Sequence, residues 1–418
     1  VESAIRPFGS GEVPSLNTVS QVLQRSAFVR LQVANLSSGV ANGVVMITVP
    51  WLVLERTGSP AQAGLLAALV SLPGIFVSPV IGGLIDRVGR RAVSALSDIF
   101  SCASVLLFVV GELVTELNFI FIASFAVLGA VFDPAGYTAR KALIPNAAES
   151  SGMAVDKANG RHEGFFAIGW MLGPALGAWG ISVGGPILAF AGTSALFLVA
   201  ALAVRSMRIR EHHEPRSESS EGFVQSLRGG WTLLRSDRAL LTFTLGLTVM
   251  GGLYMPIDTV IWPTHFQSLD NAVGLGIVMS SVALGVVGGA FGYGKLAERI
   301  PTTKLLRMII LISTAALLPM GFLPGTAVFA LLAFVTGLGW GPFNPLWNTV
   351  VQRRVDPASQ GRIYGLQMSL VYAAPPIGQL LVGWGIESFG LRATFSIVLA
   401  LFALTSATIV SLRSLNDL

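Results

Sequence analysis

Long apolar runs separated by short polar segments dominate the pattern of this chain. Each run consists of Leu, Val, Ile, Ala, Phe and Gly with few polar residues, and a helix needs about 20 such residues to cross a bilayer. The runs are too long, and alternate too little, for the strands of a membrane barrel. The pattern therefore predicts twelve membrane-spanning helices, at residues 26–54, 60–84, 92–113, 118–142, 159–183, 186–205, 238–264, 272–295, 303–322, 326–350, 360–386 and 391–412.

The composition agrees with a membrane protein. Of the 418 residues, 53% are hydrophobic and 12% are charged, whereas about 25% of a soluble protein is charged. The 47 glycines suit the close packing of helices in a bilayer. The single cysteine, Cys102, excludes an internal disulfide. No short apolar stretch with a small-residue cleavage site precedes the first long run, so we expect no cleaved signal peptide.

The basic residues predict the orientation of the chain. With a cytoplasmic amino terminus, only Arg56 and Arg392 of the 27 Lys and Arg residues fall on the outer side. Lys and Arg are enriched on the cytoplasmic side of membrane proteins. We therefore predict that both termini are cytoplasmic, and one missed span would reverse the side of every later loop.

The predicted spans divide the chain into two bundles joined by a long linker. Apolar residues between Phe223 and Leu234 recur at helical spacing beside Arg228 and Arg235, which predicts a short helix on the cytoplasmic leaflet. We predict an all-α membrane protein with a cytoplasmic segment at 1–25, six-helix bundles at 26–205 and 238–412, a cytoplasmic linker at 206–237 and a tail at 413–418.

Two short motifs repeat at an offset of about half the chain. Gly82-x-Leu84-x-Asp86-Arg87 recurs 212 residues later as Gly294-x-Leu296-x-Glu298-Arg299, and Phe132-x-Pro134 recurs 208 residues later as Trp340-x-Pro342. Internal repeats of this kind are common in secondary transporters. The motifs predict that the two bundles arose by duplication and are related by pseudo-symmetry.

The segment at 82–91, Gly-Gly-Leu-Ile-Asp-Arg-Val-Gly-Arg-Arg, resembles the pattern that the major facilitator superfamily carries between its second and third helices. In the fifth predicted span, Gly169-x-x-x-Gly173-Pro174-x-x-Gly177-Ala178 resembles the signature of the drug–proton antiporter branch, with Ala178 at the usual final Gly. The stretches 50–54, 134–140 and 341–345 are similar to the Tap-type multidrug efflux pumps of actinobacteria. Such pumps can carry an acidic residue on the first helix where this chain has Asn42.

The resemblance implies a proton-driven exporter of amphipathic drugs or antibiotics in a bacterial cytoplasmic membrane, working as a monomer by alternating access. Two alternatives remain open: export of one endogenous compound such as a siderophore, and movement of lipids or lysolipids between leaflets. The sequence holds no phosphate-binding glycine loop followed by Lys-Ser or Lys-Thr and no His or Cys cluster for a metal. We therefore expect no enzymatic activity and no cofactor, and the partners to be a small molecule, protons and the bilayer, without nucleic acid.

The segment at 82–91 also suggests a gate. Gly82 and Gly89 allow close backbone approach and a tight turn, and the Asp86 carboxylate can bind the positive end of a helix. The resemblance points to the start of the eleventh helix near residues 359–361, and Arg140 is a possible partner of Asp86. We predict a cytoplasmic gate made of Gly82, Asp86, Arg87, Gly89, Arg90, Arg91 and Arg140. In the alternative reading, the arginines serve only to keep this loop inside.

Ionisable residues within membrane spans are costly and often functional. In the fold that this chain resembles, the fourth and seventh helices line the central cavity, and they carry Asp133 and Asp258. We predict that these two carboxyl groups exchange protons; the alternative is that each is paired and structural. Asp98 lies about two turns from Arg91, so a structural ion pair is predicted there.

The fifth helix and the cavity complete the predicted site. Gly169, Gly173 and Gly177 share one helix face and allow close packing, while Pro174 bends the helix; the resemblance makes this a pivot between the bundles, and ordinary packing is the alternative. Polar and aromatic residues on cavity-lining helices are predicted to contact substrate or to form interhelical hydrogen bonds. They are Asn35, Asn42, Tyr254, Trp340, Asn344, Asn348, Gln367 and Tyr372.

Overall fold

A computed structural model describes residues 16–207, 209 and 223–417 of the chain, without the side chains of 16–26, 75–84 and 86, among others. Fourteen α-helices follow one another in this part: α1 Leu16–Thr57, α2 Pro60–Val88, α3 Arg90–Val114, α4 Phe119–Ser150, α5 Val155–Arg205, α6 Phe223–Ser236, α7 Arg238–Pro256, α8 Trp262–Ser268, α9 Ala272–Ala297, α10 Thr302–Leu317, α11 Thr326–Trp340, α12 Phe343–Arg354, α13 Pro357–Phe389 and α14 Leu391–Ser411. The predicted all-α class is confirmed.

Nine helices of the described part are long and apolar enough to cross a membrane. One of them, Lys157–Arg205, has 49 residues, and an unbroken helix of that length would be more than twice as long as the roughly 30 Å hydrocarbon core. Gly184 and Gly185 have non-helical backbone angles inside it, between the spans predicted at 159–183 and 186–205. Counting this helix as two spans and adding the long helices α2 and α13 gives twelve passes. That count and the side of the termini stay predictions.

The helices extend further into the predicted loops than the hydrophobic pattern indicates. The segment at 82–91 is predicted as a loop, yet α2 continues to Val88 and α3 starts at Arg90. Gly89 alone breaks the helix, with φ of 95°, a backbone conformation that glycine adopts without steric cost. Local breaks also divide two predicted spans: a π-helical turn at Ile257–Ile261 follows Pro256, and Gly341 with Pro342 separates α11 from α12.

The helices form an amino half (α1–α5) and a carboxyl half (α7–α14), with α6 between them in sequence. The largest buried apolar cluster combines Val44, Trp51 and Ile181 of the amino half with residues from α7 to α14, so the halves share one core. Helix α6 occupies the predicted linker and buries Leu234. Its position on the cytoplasmic leaflet stays a prediction.

Candidate functional site

A cavity of about 390 Å³ lies where the two halves meet. Most of its wall consists of apolar side chains from α1 to α4, and α13 and the turn around Met255 close it from the carboxyl half. The described polar side chains that line it are few relative to the apolar ones: Asn42, Ser71, Ser101, Ser104, Asp133, Thr259, Tyr372 and Gln379. The geometry is that of a pocket for a mainly apolar molecule with a few oriented polar groups.

Asp133 lies in the wall of this cavity beside the helix-bending Pro134. The amide nitrogen of Asn42 donates a hydrogen bond of 2.6 Å to Asp133 Oδ1, joining α1 to α4. The aromatic rings of Phe132 and Phe100 stack next to this position, with centroids 4.3 Å apart. Asp133 thus presents to the cavity a carboxyl group whose described hydrogen-bond partner, Asn42, is neutral, so this carboxyl group can take up a proton or face a cationic ligand.

Arg140 forms a buried ion pair with Asp98, which corrects two predictions. Its Nη1 lies 2.8 and 3.1 Å from the two carboxylate oxygens, its Nη2 donates to Ser38 Oγ at 2.9 Å, and both charged side chains are 2% exposed. The sequence analysis predicts instead that Arg140 pairs with Asp86 and that Asp98 pairs with Arg91. Because Asp98 faces α4 inside the bundle, the arginine on α4 reaches it, and the buried pair joins three helices of the amino half.

Asp258 lies outside the cavity, on the π-helical turn that follows Pro256. It is 9% exposed, and its Oδ1 has no hydrogen-bond partner among the described residues. Tyr254 lies one turn away in an aromatic cluster with Trp262 and Trp340, at centroid distances of 6.4 and 5.0 Å. A carboxyl group held in such apolar surroundings is costly to ionise, which is the property that a proton carrier needs.

The segment at 82–91 is anchored on the amino half. Arg90 donates to the Ala142 carbonyl and to Asn146 Oδ1, and Arg91 donates to the Met207 carbonyl at 2.6 Å. Arg87 is exposed at the end of α2. Gly82 lies within α2, and the predicted contacts of Gly82 and of the Asp86 side chain fall outside the described part of the structure. Contact between this carboxylate and α13 stays a prediction.

Comparison with known proteins decides the family. The profile of the Major Facilitator Superfamily matches residues 31–378. The chain belongs to this superfamily. The multidrug efflux pump Tap of Mycobacterium tuberculosis strain H37Rv is 34% identical over 393 residues, covering 92% of this chain and 93% of Tap. Macrolide efflux protein A of Streptococcus pyogenes is 23% identical, covering 85% and 88% of the two chains.

A solved structure of the superfamily fold agrees with this assignment. The crystal structure of the nucleoside transporter NupG superposes with a TM-score of 0.74 at 12% identity, covering 92% of this chain and 98% of NupG. The major facilitator fold predicted from the resemblance is therefore confirmed. A likeness at this level of identity supports the fold and carries no information on cargo.

In this superfamily member, the glycines of α5 pack against α1. A Cβ atom on Gly173 would lie 2.6 Å from the Gly43 Cα, and one on Gly169 would lie 3.1 Å from the Gly39 Cα. Gly177 meets Val44 in the same seam. Because α1 and α5 belong to the same half, these contacts match the packing alternative, and a pivot between bundles stays a prediction.

The described contact between α5 and the carboxyl half does not involve Gly169, Gly173 or Gly177. A Cβ atom on Gly276 of α9 would lie 2.9 Å from the Pro174 carbonyl oxygen and 2.4 Å from the Ala178 Cβ, and Ser280 Oγ donates to the Met171 carbonyl at 2.8 Å. Pro174 thus touches the other half through its carbonyl group. Gly276 is one of many glycines in an apolar run, so the sequence held no signal that set it apart.

The predicted cavity residues divide into four groups. Asn42 and Tyr372 line the cavity, and Tyr254 and Trp340 form the aromatic cluster near Asp258. Asn35 donates to the His162 carbonyl at 2.8 Å and so joins two helices. The other three lie away from the described cavity wall, where Gln367 is buried and Asn344 and Asn348 are exposed.

The structure also identifies a contact between α2 and α13 that sequence reasoning missed. A Cβ atom on Gly64 would lie 2.4 Å from the Gln379 carbonyl oxygen and 3.0 Å from the Gly383 Cα. Towards the cavity, the side-chain amide of Gln379 donates to Thr259 Oγ1 at 3.2 Å and accepts from Ser71 Oγ at 3.4 Å. We call this contact, with these five residues, the outer seal, because the predicted topology puts it on the outer side.

Proposed function

We propose that the protein exports amphipathic drugs or antibiotics across a bacterial cytoplasmic membrane in exchange for protons. The observation that carries this proposal is the cavity between the halves, which is largely apolar and contains the carboxyl group of Asp133. Hydrophobic walls with few polar groups accept molecules of varied shape. The names of two relatives, a multidrug efflux pump and a macrolide efflux protein, support export over uptake.

Alternating access provides the mechanism. The outer seal closes the cavity on the predicted outer side, so a molecule in the cavity must leave through the opposite side until Gly64 and Gly383 separate. The proposed cytoplasmic gate around Gly82, Asp86 and Arg87 would close when the outer seal opens. Close backbone packing favours two discrete arrangements of the halves over a continuous deformation.

Proton coupling is assigned to Asp133 and Asp258. Asp133 can bind a proton or a cationic cargo group in the cavity, with Asn42 orienting its carboxyl group. Asp258 shares one buried region with Tyr254, at the point where the π-helical turn interrupts α7. Helical irregularities of this kind frequently occur at functional sites.

The test is transport in proteoliposomes with an imposed pH gradient and a panel of dyes and antibiotics. We expect gradient-driven movement of several amphipathic compounds, and the loss of this movement in Asp133→Asn and Asp258→Asn. Glu112→Gln is the matched control, because Glu112 pairs with Arg56 at the surface of the amino half. Each variant is compared at equal amounts of folded protein.

Three outcomes would contradict parts of the proposal. Unchanged export by both aspartate variants removes the carboxyl assignment. Movement of a single compound from the panel favours a dedicated exporter. Movement of labelled lipid without a pH gradient, with no transport of the panel, would replace drug export with lipid transfer.

A further inference from the structure

The first turn of α2 lies at the end of the outer seal. Ser59 caps this helix, and its hydroxyl accepts from the Gln62 backbone amide at 3.2 Å. The first amides of a helix have no partner within the helix and carry the positive end of its dipole. Pro60 contributes no amide hydrogen, so the Ala61 amide is the first free donor of the helix.

A carboxylate from the other half occupies this helix end. One oxygen of Glu387, Oε2, accepts both the Ser59 hydroxyl at 2.7 Å and the Ala61 amide at 3.1 Å. Glu387 lies in the last turn of α13, 328 residues from Ser59 in sequence. Two charge-assisted hydrogen bonds therefore join the two halves at this point.

The backbones of α2 and α13 touch beside Glu387, so this junction must break before the outer side can open. A Cβ atom on Gly383 would lie 2.7 Å from the Pro60 carbonyl oxygen and 3.0 Å from the Gly64 Cα. No space for a substrate remains between α2 and α13 at this level. The two helix ends must separate before a molecule can leave the cavity on this side, and separation breaks both hydrogen bonds of Glu387.

The two helices run in opposite directions, since Gly64 meets Gly383 while Gly74 meets Tyr372. The carboxyl end of α2, which carries Asp86, is therefore the end nearest the start of α13. We propose that Glu387 is a gating residue that holds the outer side shut by binding the start of α2. Glu387 at the end of α13 thus binds the start of α2, just as Asp86 at the end of α2 is predicted to bind the start of α13.

This inference rests on the proposed alternating access, but its test needs no transported compound. The reporter is Ala126→Cys in the cavity wall, in a Cys102→Ser background, labelled with a membrane-impermeant maleimide from outside intact cells. Glu387→Gln removes the negative charge from both hydrogen bonds, and the weaker neutral bonds should raise the labelling rate about fivefold to tenfold. Glu112→Gln is the control, because it removes an acidic side chain on the same predicted side that pairs within one half.

Equal labelling rates in Glu387→Gln and Glu112→Gln would overturn the inference. A second variant covers the case in which Glu387→Gln does not fold: Ser59→Cys with Glu387→Cys should form a disulfide on oxidation, which lowers labelling of the reporter to background until a reductant is added. Unchanged labelling after complete oxidation would also overturn it. If no compound is transported while Glu387→Gln still raises labelling, the gating role stands and the proposed export fails.

Discussion

The two halves differ between helices that the internal repeat makes equivalent. In the amino half, α2 and α4 face each other across the cavity, with Asp133 in the wall. In the carboxyl half, α9 and α11 touch through their backbones: a Cβ atom on Gly285 would lie 2.1 Å from the Phe334 carbonyl oxygen, and one on Gly337 would lie 2.2 Å from that of Val282. We call Gly285, Gly289, Gly337 and Gly341 the glycine seam.

The 208-residue offset of the repeat pairs Asp133 with Gly341. A Cβ atom on Gly341 would lie 2.2 Å from the Val286 carbonyl oxygen, so no side chain fits where the amino half has its carboxyl group. The equivalent helices thus line the cavity in the amino half and pack rigidly against each other in the carboxyl half. Function follows from which side chains fill equivalent positions, rather than from the fold.

The largest expected effect is on the buried ion pair that supports the cavity wall. Arg140→Leu leaves the Asp98 carboxylate unpaired at 2% exposure, and removing one partner of a buried pair costs about 3–5 kcal/mol. Thermal unfolding in detergent measures the loss. The control is Arg354→Gln, which breaks the more exposed Asp237 pair of the carboxyl half and should cost about 1 kcal/mol or less.

Recovery in a double variant sharpens this prediction. Asp98→Asn with Arg140→Leu removes the unpaired charge, so it should be more stable than Arg140→Leu alone. A double variant as unstable as the single one would show that the arginine contributes through packing instead of through its charge.

The second prediction compares two glycines that the repeat makes equivalent, Gly129 and Gly337. Gly337→Ala forces a methyl group against the Val282 backbone, and overpacking of this kind costs about 1–3 kcal/mol. Gly129→Ala meets the Ser104 Oγ at 2.8 Å, and that side chain can rotate away. We expect unfolding temperature to fall clearly for the first variant and little for the second; equal losses would contradict the assignment of rigidity to the glycine seam.

The contrast between these glycines also marks the limit of sequence reasoning. Long apolar runs and the placement of Lys and Arg were sufficient for the helical class and for the approximate ends of the helices. The partner of Arg140 and the contact of Gly64 with Gly383 depend on which helices meet, and neither apolar periodicity nor a glycine count encodes this. Glu387 resembled any polar residue at the end of a span, because its partner is 328 residues away.

Asn42 was predicted for the cavity from its polar side chain on an apolar helix, and its partner Asp133 was predicted separately. The sequence does not predict the hydrogen bond between them, because a contact between α1 and α4 depends on how both helices are rotated about their axes. The residue types were therefore predictable while the pairing was not.

The third prediction concerns this pair. Asn42→Leu removes the donor to Asp133, and a hydrogen bond to a charged group is worth about 1.5–3 kcal/mol, so export should fall about tenfold or more. The matched control in the carboxyl half is Tyr293→Phe, which removes the hydrogen bond to Thr349 Oγ1 at 3.0 Å. Export that falls equally in both variants would show that any interhelical hydrogen bond matters, irrespective of the cavity.

The smallest expected effect lies at the start of α7, outside the membrane-spanning part. Partial burial would raise the pKa of Asp237, but the hydrogen bond and charge of Arg354, with the Leu240 and Ala239 amides, outweigh it and lower this pKa below its usual range. The carboxylate therefore stabilises the folded state fully above about pH 4. That contribution is lost as pH falls through the lowered pKa.

Asp237→Asn retains a side-chain oxygen for the helix cap but has no charge, so it should be about 1 kcal/mol less stable at pH 7. As the wild-type carboxylate takes up a proton, the two proteins lose their difference in charge, and their unfolding temperatures should converge below about pH 4. Thermal unfolding at a series of pH values measures this convergence. If the difference in unfolding temperature stays constant down to pH 3, the stabilisation comes from the cap geometry and not from the Arg354 charge. The buried Arg140 pair of the amino half would then be the stronger electrostatic contact of the two.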